Sequence, residues 1–119
     1  MYKIRHILSV ALLFGMFTGV SVPVVVADDA VLKEGKELTF NRKKGNCLAC
    51  HMISGGDLPG NIGPPLIAMK SRFPDLAKLK AQIADARTMN PNTIMPPFGS
   101  HGILTDDEVD KVAAFIHSL

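Results

Sequence analysis

The stretch that decides the fold is Cys47-Leu48-Ala49-Cys50-His51. Two thiols three positions apart, followed directly by an imidazole, form the pattern of a c-type haem attachment site. Each thiol can add to one vinyl group of the porphyrin, and His51 then stands beside one face of the iron. The motif therefore predicts one covalently bound haem c, held by Cys47 and Cys50, with His51 as an iron ligand.

Three other interpretations of the same pentapeptide stay open at this point. A Cys-x-x-Cys pair can form half of a zinc site, although zinc needs four ligands and the chain has only two cysteines. The pair can be a redox dithiol, but that class of protein places the motif after a strand, and no strand pattern precedes Cys47. The pair can also form a plain structural disulfide.

Residues 1–27 have the organisation of a secretory signal peptide. A basic start is followed by an uncharged apolar run over residues 7–20 and by Val25-Val26-Ala27, a small-residue cleavage pattern. An uncleaved membrane anchor is the alternative, since the apolar stretch approaches spanning length. Cleavage would leave an exported domain, residues 28–119, with no stable membrane span. Because haem attachment in bacteria takes place after export, we expect a periplasmic protein.

The charges of the chain are segregated. The formal net charge of +2 is carried by Lys3 and Arg5, so residues 28–119 are neutral overall, and no nucleic-acid partner is expected. The run Arg42-Lys43-Lys44 precedes the haem motif, whereas four acidic residues gather over residues 106–110. This basic run is either an ordinary solvated face or a surface that guides a partner towards the haem edge.

The periodicity of the chain predicts an all-α domain. Apolar positions at helical spacing predict helices over about residues 30–40 and 74–87, and period-two alternation is not sustained anywhere. A last helix is marked by Thr105-Asp106-Asp107-Glu108, the pattern of a capping box. We expect the first and last helices to cross where Gly35 meets Phe115, which would close a small domain around the haem.

The second iron ligand is sought among the methionines, because a Met opposite the His raises the potential of an electron-transfer haem. Met95-Pro96-Pro97-Phe98-Gly99 stands out, since proline fixes its own φ and holds the preceding residue extended, so Met95 lies on a stiff segment. Met52 directly follows the first ligand and cannot reach the opposite face, and Met69 lies in a short apolar segment that fits the core. Met89 and His101 remain as alternative ligands.

The string Gly63-Pro64-Pro65-Leu66 predicts a support for the His51 ring. A ligand imidazole normally donates its other N–H to a carbonyl, and the carbonyl of Pro64 lies on a rigid turn after the motif. Leu66 is then expected to pack on the porphyrin face. The alternative is that the Gly-Pro-Pro sequence forms only a turn.

These strings together are similar to a known family. A Cys-x-x-Cys-His motif, a Gly-Pro-Pro turn and a later methionine between terminal helices resemble a class I cytochrome c across residues 28–119. More specifically, the chain resembles the SoxX family, the small monohaem subunits of SoxAX cytochromes. The three strings that carry this closer resemblance are Gly45-Asn46-Cys47-Leu48-Ala49-Cys50-His51, Gly60-Asn61-Ile62-Gly63-Pro64-Pro65-Leu66, and Asn90-Pro91 through Met95-Pro96-Pro97-Phe98-Gly99.

The resemblance implies a partner and a division of labour. The expected partner is a larger SoxA-type subunit with one or two haems, in a heterodimer with this chain. In that family the complex couples thiosulfate oxidatively to a cysteine of a carrier protein, and the electrons leave through haem to a downstream acceptor. The resemblance also implies that Cys47 and Cys50 hold the haem and that His51 and Met95 ligate its iron. Since no other cysteine remains, the sulfur chemistry is expected on the partner.

Two other functions remain open. A free-standing electron shuttle would use the same haem site without a permanent partner. A disulfide or metal-binding module would use the cysteine pair without haem. Residues 28–119 contain no Trp and no Tyr, which departs from many cytochromes c, where such side chains hydrogen-bond a haem propionate. Backbone amides or basic side chains are expected to take that role.

Overall fold

The structure is a computed structural model that describes residues 29–119. The signal peptide predicted over residues 1–27 lies outside the described residues. Within 29–119 the regular elements are all helical and none is a strand, which confirms the all-α prediction. In this same range every helix is too short or too polar to cross a membrane. The helices are α1 (Asp29–Phe40), α2 (Met69–Arg72), α3 (Leu76–Ala84) and α4 (Asp106–His117), with short 3-10 turns at Cys47–Ala49 and Ala86–Thr88.

Helices α1 and α4 cross at the predicted glycine. A Cβ atom on Gly35 would overlap the backbone carbonyl of Lys111 and lie 2.9 Å from the Cβ of Phe115. Next to this crossing, the rings of Phe40 and Phe115 meet edge to face, with their centroids 6.1 Å apart and their planes at 83°. The buried Thr39 hydroxyl donates to the carbonyl of Gly35 at 2.7 Å. The crossing of the first and last helices is therefore confirmed.

Helix α4 begins with the capping box that the sequence predicts. The Thr105 hydroxyl accepts from the Glu108 amide at 3.2 Å, and the Glu108 carboxylate accepts from the Thr105 amide at 2.9 Å. Two N–H groups at the helix start are thereby satisfied. One face of α4 is buried against α1 and α3, and it forms the centre of the core. The buried residues of this face are Val109, Val112, Ala113, Phe115 and Ile116.

The middle of the chain departs from the expectation of a single helix over residues 74–87. Helix α3 begins after Asp75, whose carboxylate accepts from the Ala77 amide at 2.8 Å. It ends just before Asp85, which turns to an extended conformation (φ −157°, ψ 93°) and accepts from the Arg87 amide. An aspartate that bonds nearby N–H groups competes with helix continuation. Two such aspartates therefore make the helix shorter than predicted at both ends.

Helix α2 is a single helical turn that apolar periodicity does not predict. Met69 at its start is 1 % exposed, which confirms that this methionine belongs to the core. Its amide donates to the carbonyl of Leu119 at 2.9 Å. His117 Nε2 donates to the carbonyl of Phe73 at 3.0 Å. These two contacts tie α2 to the carboxyl end of α4, so the segment is fixed by its neighbours rather than by its own helical propensity.

Candidate haem-binding site

The cysteine–histidine motif forms a tight turn on the wall of a cavity. Asn46 adopts a left-handed conformation (φ 47°), and the 3-10 turn Cys47–Ala49 follows it. The amide of His51 then donates to the carbonyl of Cys47 at 2.8 Å. This local fold brings both thiols and the imidazole to one cavity with a volume of about 530 Å³.

The two thiols are partly buried and are not joined by a disulfide. Burial, and to a smaller extent the neighbouring Cys50, raise the pKa of the Cys47 thiol to about 11, against the opposing effect of a backbone hydrogen bond. A redox dithiol works through a thiolate and therefore needs a lowered pKa. The environment of Cys47 is thus the opposite of what a thioredoxin-like site requires. Among residues 29–119, no group of three or more His, Cys, Asp or Glu side chains is arranged to hold a metal ion.

His51 is oriented by the turn that the sequence predicts as its support. Its Nδ1 lies 2.7 Å from the carbonyl oxygen of Pro64. Because a carbonyl oxygen only accepts, Nδ1 carries the proton, and the lone pair of Nε2 stays free for a metal. A Cβ on Gly63 would overlap the imidazole and lie 2.6 Å from Nδ1, so only glycine lets the turn come this close. Leu66, at the end of the same string, lines the cavity.

Met95 lines the same cavity as the cysteine–histidine motif. Its amide donates to the Thr93 hydroxyl at 3.1 Å, and Pro96 follows directly. The side-chain amide of Gln82 donates to the Met95 sulfur at 3.8 Å. An imidazole nitrogen with a free lone pair and a thioether therefore share one space.

The alternative ligands lie elsewhere in the described part of the chain. Met89 is about half exposed, His101 is exposed, and neither lines the cavity. Met52 is also about half exposed and does not line the cavity. Met69 borders the cavity, but from within the core. Of the methionines in residues 29–119, Met69 and Met95 line the cavity, and Met69 is almost fully buried.

The cavity wall fits a flat apolar group that carries charged edges. Its volume lies in the range of ordinary cofactor sites, roughly 300–1,000 Å³. The two thiols match the vinyl groups of a porphyrin, and the imidazole and thioether match its iron. Arg42, Lys43 and Arg72 border the cavity and offer basic partners for propionates. The aliphatic and aromatic residues of the wall include Ile62, Leu66, Phe73, Leu79, Ile83, Phe98, Ile103, Leu104, Val112 and Ile116.

Two polar side chains of the cavity wall were missed by the sequence analysis. Gln82 lies between Leu79 and Ile83 on the inward face of α3, and a polar residue within an apolar face was the signal that could have found it. Arg72 donates to the carbonyl of Pro65 at 2.6 Å, beside the carbonyl that orients the imidazole. Because α2 is too short to produce a periodic pattern, no signal in the sequence marked Arg72.

Comparison with known families agrees with this geometry. The family model of cytochrome c matches residues 32–119. The chain belongs to the cytochrome c family. This cytochrome carries covalently attached haem c with its iron, and Cys47 and Cys50 fit the attachment motif. The cofactor predicted from the pentapeptide is confirmed.

A solved structure has a similar fold. This cytochrome aligns with a chain of the crystal structure of SoxXA from P. pantotrophus with a TM-score of 0.66 and 28 % sequence identity. The alignment covers 72 % of this cytochrome and 79 % of that chain. The resemblance to a SoxX-type class I cytochrome c is thereby confirmed.

A curated relative matches over a similar length. An uncharacterised lipoprotein of Aquifex aeolicus (strain VF5) is 33 % identical over 93 residues, which is 74 % of this cytochrome and 45 % of the relative. The chain thus spans about half the length of the curated relative that it matches.

Proposed function

We propose that His51 and Met95 would hold the haem iron of this electron-transfer cytochrome. The observation that carries the proposal is the hydrogen bond from His51 Nδ1 to Pro64, which leaves Nε2 free in the cavity that Met95 also lines. When bound, the haem supplies one-electron redox chemistry. An imidazole–thioether pair leaves the iron no open position for a substrate, so this donor set suits electron transfer at a raised potential.

We further propose that the electrons come from a sulfur-oxidising complex with a larger SoxA-type subunit. The similarity to a chain of SoxXA and the three SoxX-like strings support this partner. Both cysteines of the chain belong to the haem motif. This chain therefore offers no thiol for covalent sulfur chemistry, which is assigned to the partner and to a carrier protein.

The proposed reaction sets a requirement for the electron path. Coupling thiosulfate to a carrier cysteine breaks the S–H bond and forms one S–S bond. The thiol proton is released, and two electrons leave. Since one haem accepts one electron at a time, there are two possible paths. Either both electrons pass through this cytochrome one after the other, or a second redox centre on the partner accepts one of them. They then continue to a downstream acceptor.

The basic run beside the motif is the proposed guide for docking. Lys44 forms an ion pair of 3.0 Å with Glu108 and is therefore occupied within the chain. Arg42 and Lys43 border the cavity, and the structure gives their side chains no acidic partner. An acidic surface around the partner's redox centre would be attracted to this edge, and salt would screen the attraction.

We also propose that residues 1–27 export the chain and are then removed, which places the domain in the periplasm. The basic start, the apolar run and the small-residue cleavage pattern support this assignment. The lipoprotein name of the Aquifex relative agrees with an exported family member. The amino-terminal residue of the purified protein tests the assignment, because cleavage after Ala27 leaves Asp28 first.

Co-purification tests the partner most directly. The natively expressed cytochrome, tagged at its carboxyl terminus, is expected to bring a larger haem-containing protein with it in an equimolar complex. Denaturing electrophoresis with haem-peroxidase staining and mass identification of both bands would show this. A cytochrome that purifies alone would favour the free-standing shuttle, and a band of this chain without haem stain would defeat the cytochrome assignment itself.

A kinetic test addresses the electron path. The oxidised cytochrome should be reduced by thiosulfate only when both the carrier and the partner are present. Replacing Arg42 and Lys43 by Ala should slow this reduction and weaken its dependence on salt. The control is Lys33→Ala, which removes an exposed positive charge from α1. Equal rates of reduction in the control and the double variant would show that Arg42 and Lys43 do not guide docking.

A further inference from the structure

The segment that carries Met95 has few main-chain hydrogen bonds of its own. The amide of Met95 donates to the side chain of Thr93, and the two prolines that follow have no N–H to donate. The next amides with main-chain partners are those of Gly99 and Ser100. Both donate to the carbonyl of Ala84, at 3.0 and 3.2 Å. The carbonyls of Pro97 and Phe98 accept from the amides of His101 and Leu104, both at 3.0 Å, within the chain that follows Met95. The main-chain attachment of the segment to α3 is therefore at Ala84.

Asp85 adds a charged contact at this same place. The Ser100 hydroxyl donates to one oxygen of the Asp85 carboxylate at 2.8 Å. Arg87 fixes the carboxylate by donating from Nε at 2.8 Å and from a terminal nitrogen at 2.6 Å. The Arg87 amide adds a third bond at 3.1 Å. Paired guanidinium–carboxylate geometry of this kind is the arrangement in which an ion pair near the surface contributes most.

The carboxylate of Asp85 is well suited to a permanent contact. Its side chain is only 19 % exposed, against 48 % for Arg87. The hydrogen bonds from Arg87, and after them the one from Ser100, hold the pKa of Asp85 well below its usual range. The carboxylate therefore stays charged, and keeps accepting from the Ser100 hydroxyl, at every pH near neutrality.

We propose that Asp85 is a positioning residue for Met95. Through Ser100 it holds the methionine-bearing segment against the end of α3, while Gln82, nearly one helical turn earlier, contacts the Met95 sulfur directly. A contact from α3 and one from the residue that follows α3 then hold the segment, at the Met95 sulfur and at Ser100. This inference rests on the proposed role of Met95 as iron ligand. It implies that Asp85 affects how easily an added ligand displaces the Met95 thioether from the iron.

The test measures displacement of Met95 by an added ligand in the ferric holoprotein. Imidazole competes with the thioether, and its binding is followed by loss of the sulfur-to-iron charge-transfer band. Asp85→Asn is expected to raise the imidazole affinity roughly tenfold, the size expected for a lost charge-assisted hydrogen bond. Ser100→Ala, which leaves the Asp85–Arg87 pair intact, should raise the affinity in the same direction if Asp85 acts through Ser100.

The control is Asp75→Ala, which removes the side chain that caps the other end of α3. It should lower thermal stability without changing the imidazole affinity by more than about twofold. Wild-type affinity in both Asp85→Asn and Ser100→Ala would overturn the proposal and leave Asp85 a purely structural residue. Failure of the proposed ligand is a different result, because the charge-transfer band would then be absent from the wild-type holoprotein or persist in Met95→Ala. If Asp85→Asn does not fold, Ser100→Ala alone decides.

Discussion

The two sides of the haem cavity differ in how the segment next to each proposed ligand is held. On the His51 side, three main-chain hydrogen bonds join the motif to the loop that follows it. Gly60 donates to Leu48 at 2.7 Å, Gly63 donates to Cys50 at 2.8 Å, and Leu66 donates to Met52 at 2.9 Å. On the Met95 side, main-chain bonds hold the segment only after the ligand, from Ser100 to Ala84 and from Leu104 to Phe98. The amide of Met95 itself is held by the Thr93 hydroxyl, and its sulfur is contacted by the Gln82 side chain.

This difference predicts where single substitutions act. Main-chain hydrogen bonds do not depend on the identity of the side chains, so the histidine side tolerates most replacements that fit sterically. Side-chain contacts are lost when one polar atom is removed, so the methionine side can be adjusted residue by residue. We therefore expect the strength of the iron–sulfur contact to vary among close variants while the imidazole stays fixed.

The largest effect is expected from Met95→Ala. Loss of the thioether should abolish the sulfur-to-iron charge-transfer band and lower the reduction potential by an amount on the order of 0.2 V, within the roughly 0.8 V range that axial ligands span. Absorbance spectra and redox titration of the holoprotein measure both changes. Met89→Ala is the control, because Met89 is exposed and distant from the cavity wall. If Met95→Ala keeps the band, then Met89 supplies the second ligand, whereas a wild-type holoprotein without the band would point to His101.

On the histidine side, Gly63→Ala should have the next largest effect. The added methyl group would overlap the imidazole, so either the ring or the Pro64 turn must move. We expect a loss of about 1–3 kcal/mol in the free energy of unfolding, the usual cost of overpacking. Guanidinium unfolding of the holoprotein measures the loss. Asn61→Ala, in the same loop but exposed, should leave the unfolding midpoint unchanged. An unchanged midpoint in Gly63→Ala would mean that the ring is not fixed by this turn.

The two sides also differ in how far the sequence predicts them. The histidine side was predictable because its signals are local: the motif is five residues long, and the Pro64 turn follows it closely. The crossing of α1 and α4 was predictable for the same reason, since a capping box and a lone glycine mark it. The methionine side was predicted only as far as Met95 itself.

The contacts that hold Met95 could not be predicted because they depend on where α3 ends. Asp85 and Ser100 are 15 residues apart, and Gln82 and Met95 are 13 apart. The Asp85–Ser100 contact forms only if Asp85 leaves the helix and caps the next turn. Whether it does so depends on two local hydrogen-bonding patterns, helix continuation and the side-chain cap, that differ little in energy. Apolar periodicity instead predicts a helix that continues to about residue 87. In such a helix the Asp85 side chain would not be placed to accept from Ser100.

A smaller effect is expected from Thr93→Val. The substitution keeps the shape of the side chain but removes the oxygen that accepts from the Met95 amide. A lost hydrogen bond of this kind contributes about 0.5–1.5 kcal/mol, so imidazole should displace the thioether several-fold more easily. Thr88→Val is the matched control, since its hydroxyl donates to the Asp85 carbonyl and does not contact Met95. Equal imidazole affinities in the two variants would mean that the prolines alone keep the segment in place.

The smallest effect is expected from Gln82→Leu. An N–H that donates to the thioether draws electron density from the sulfur, which disfavours the ferric state more than the ferrous state. Removing this donor should therefore lower the reduction potential. At 3.8 Å the contact is weak, and about 0.5 kcal/mol corresponds to roughly 20 mV for one electron. The charge-transfer band should shift but persist, and Asn61→Ala should leave the potential unchanged. A rise in potential would show that the amide contacts the sulfur without donating to it, and the methionine side would then be tuned by packing rather than by hydrogen bonds.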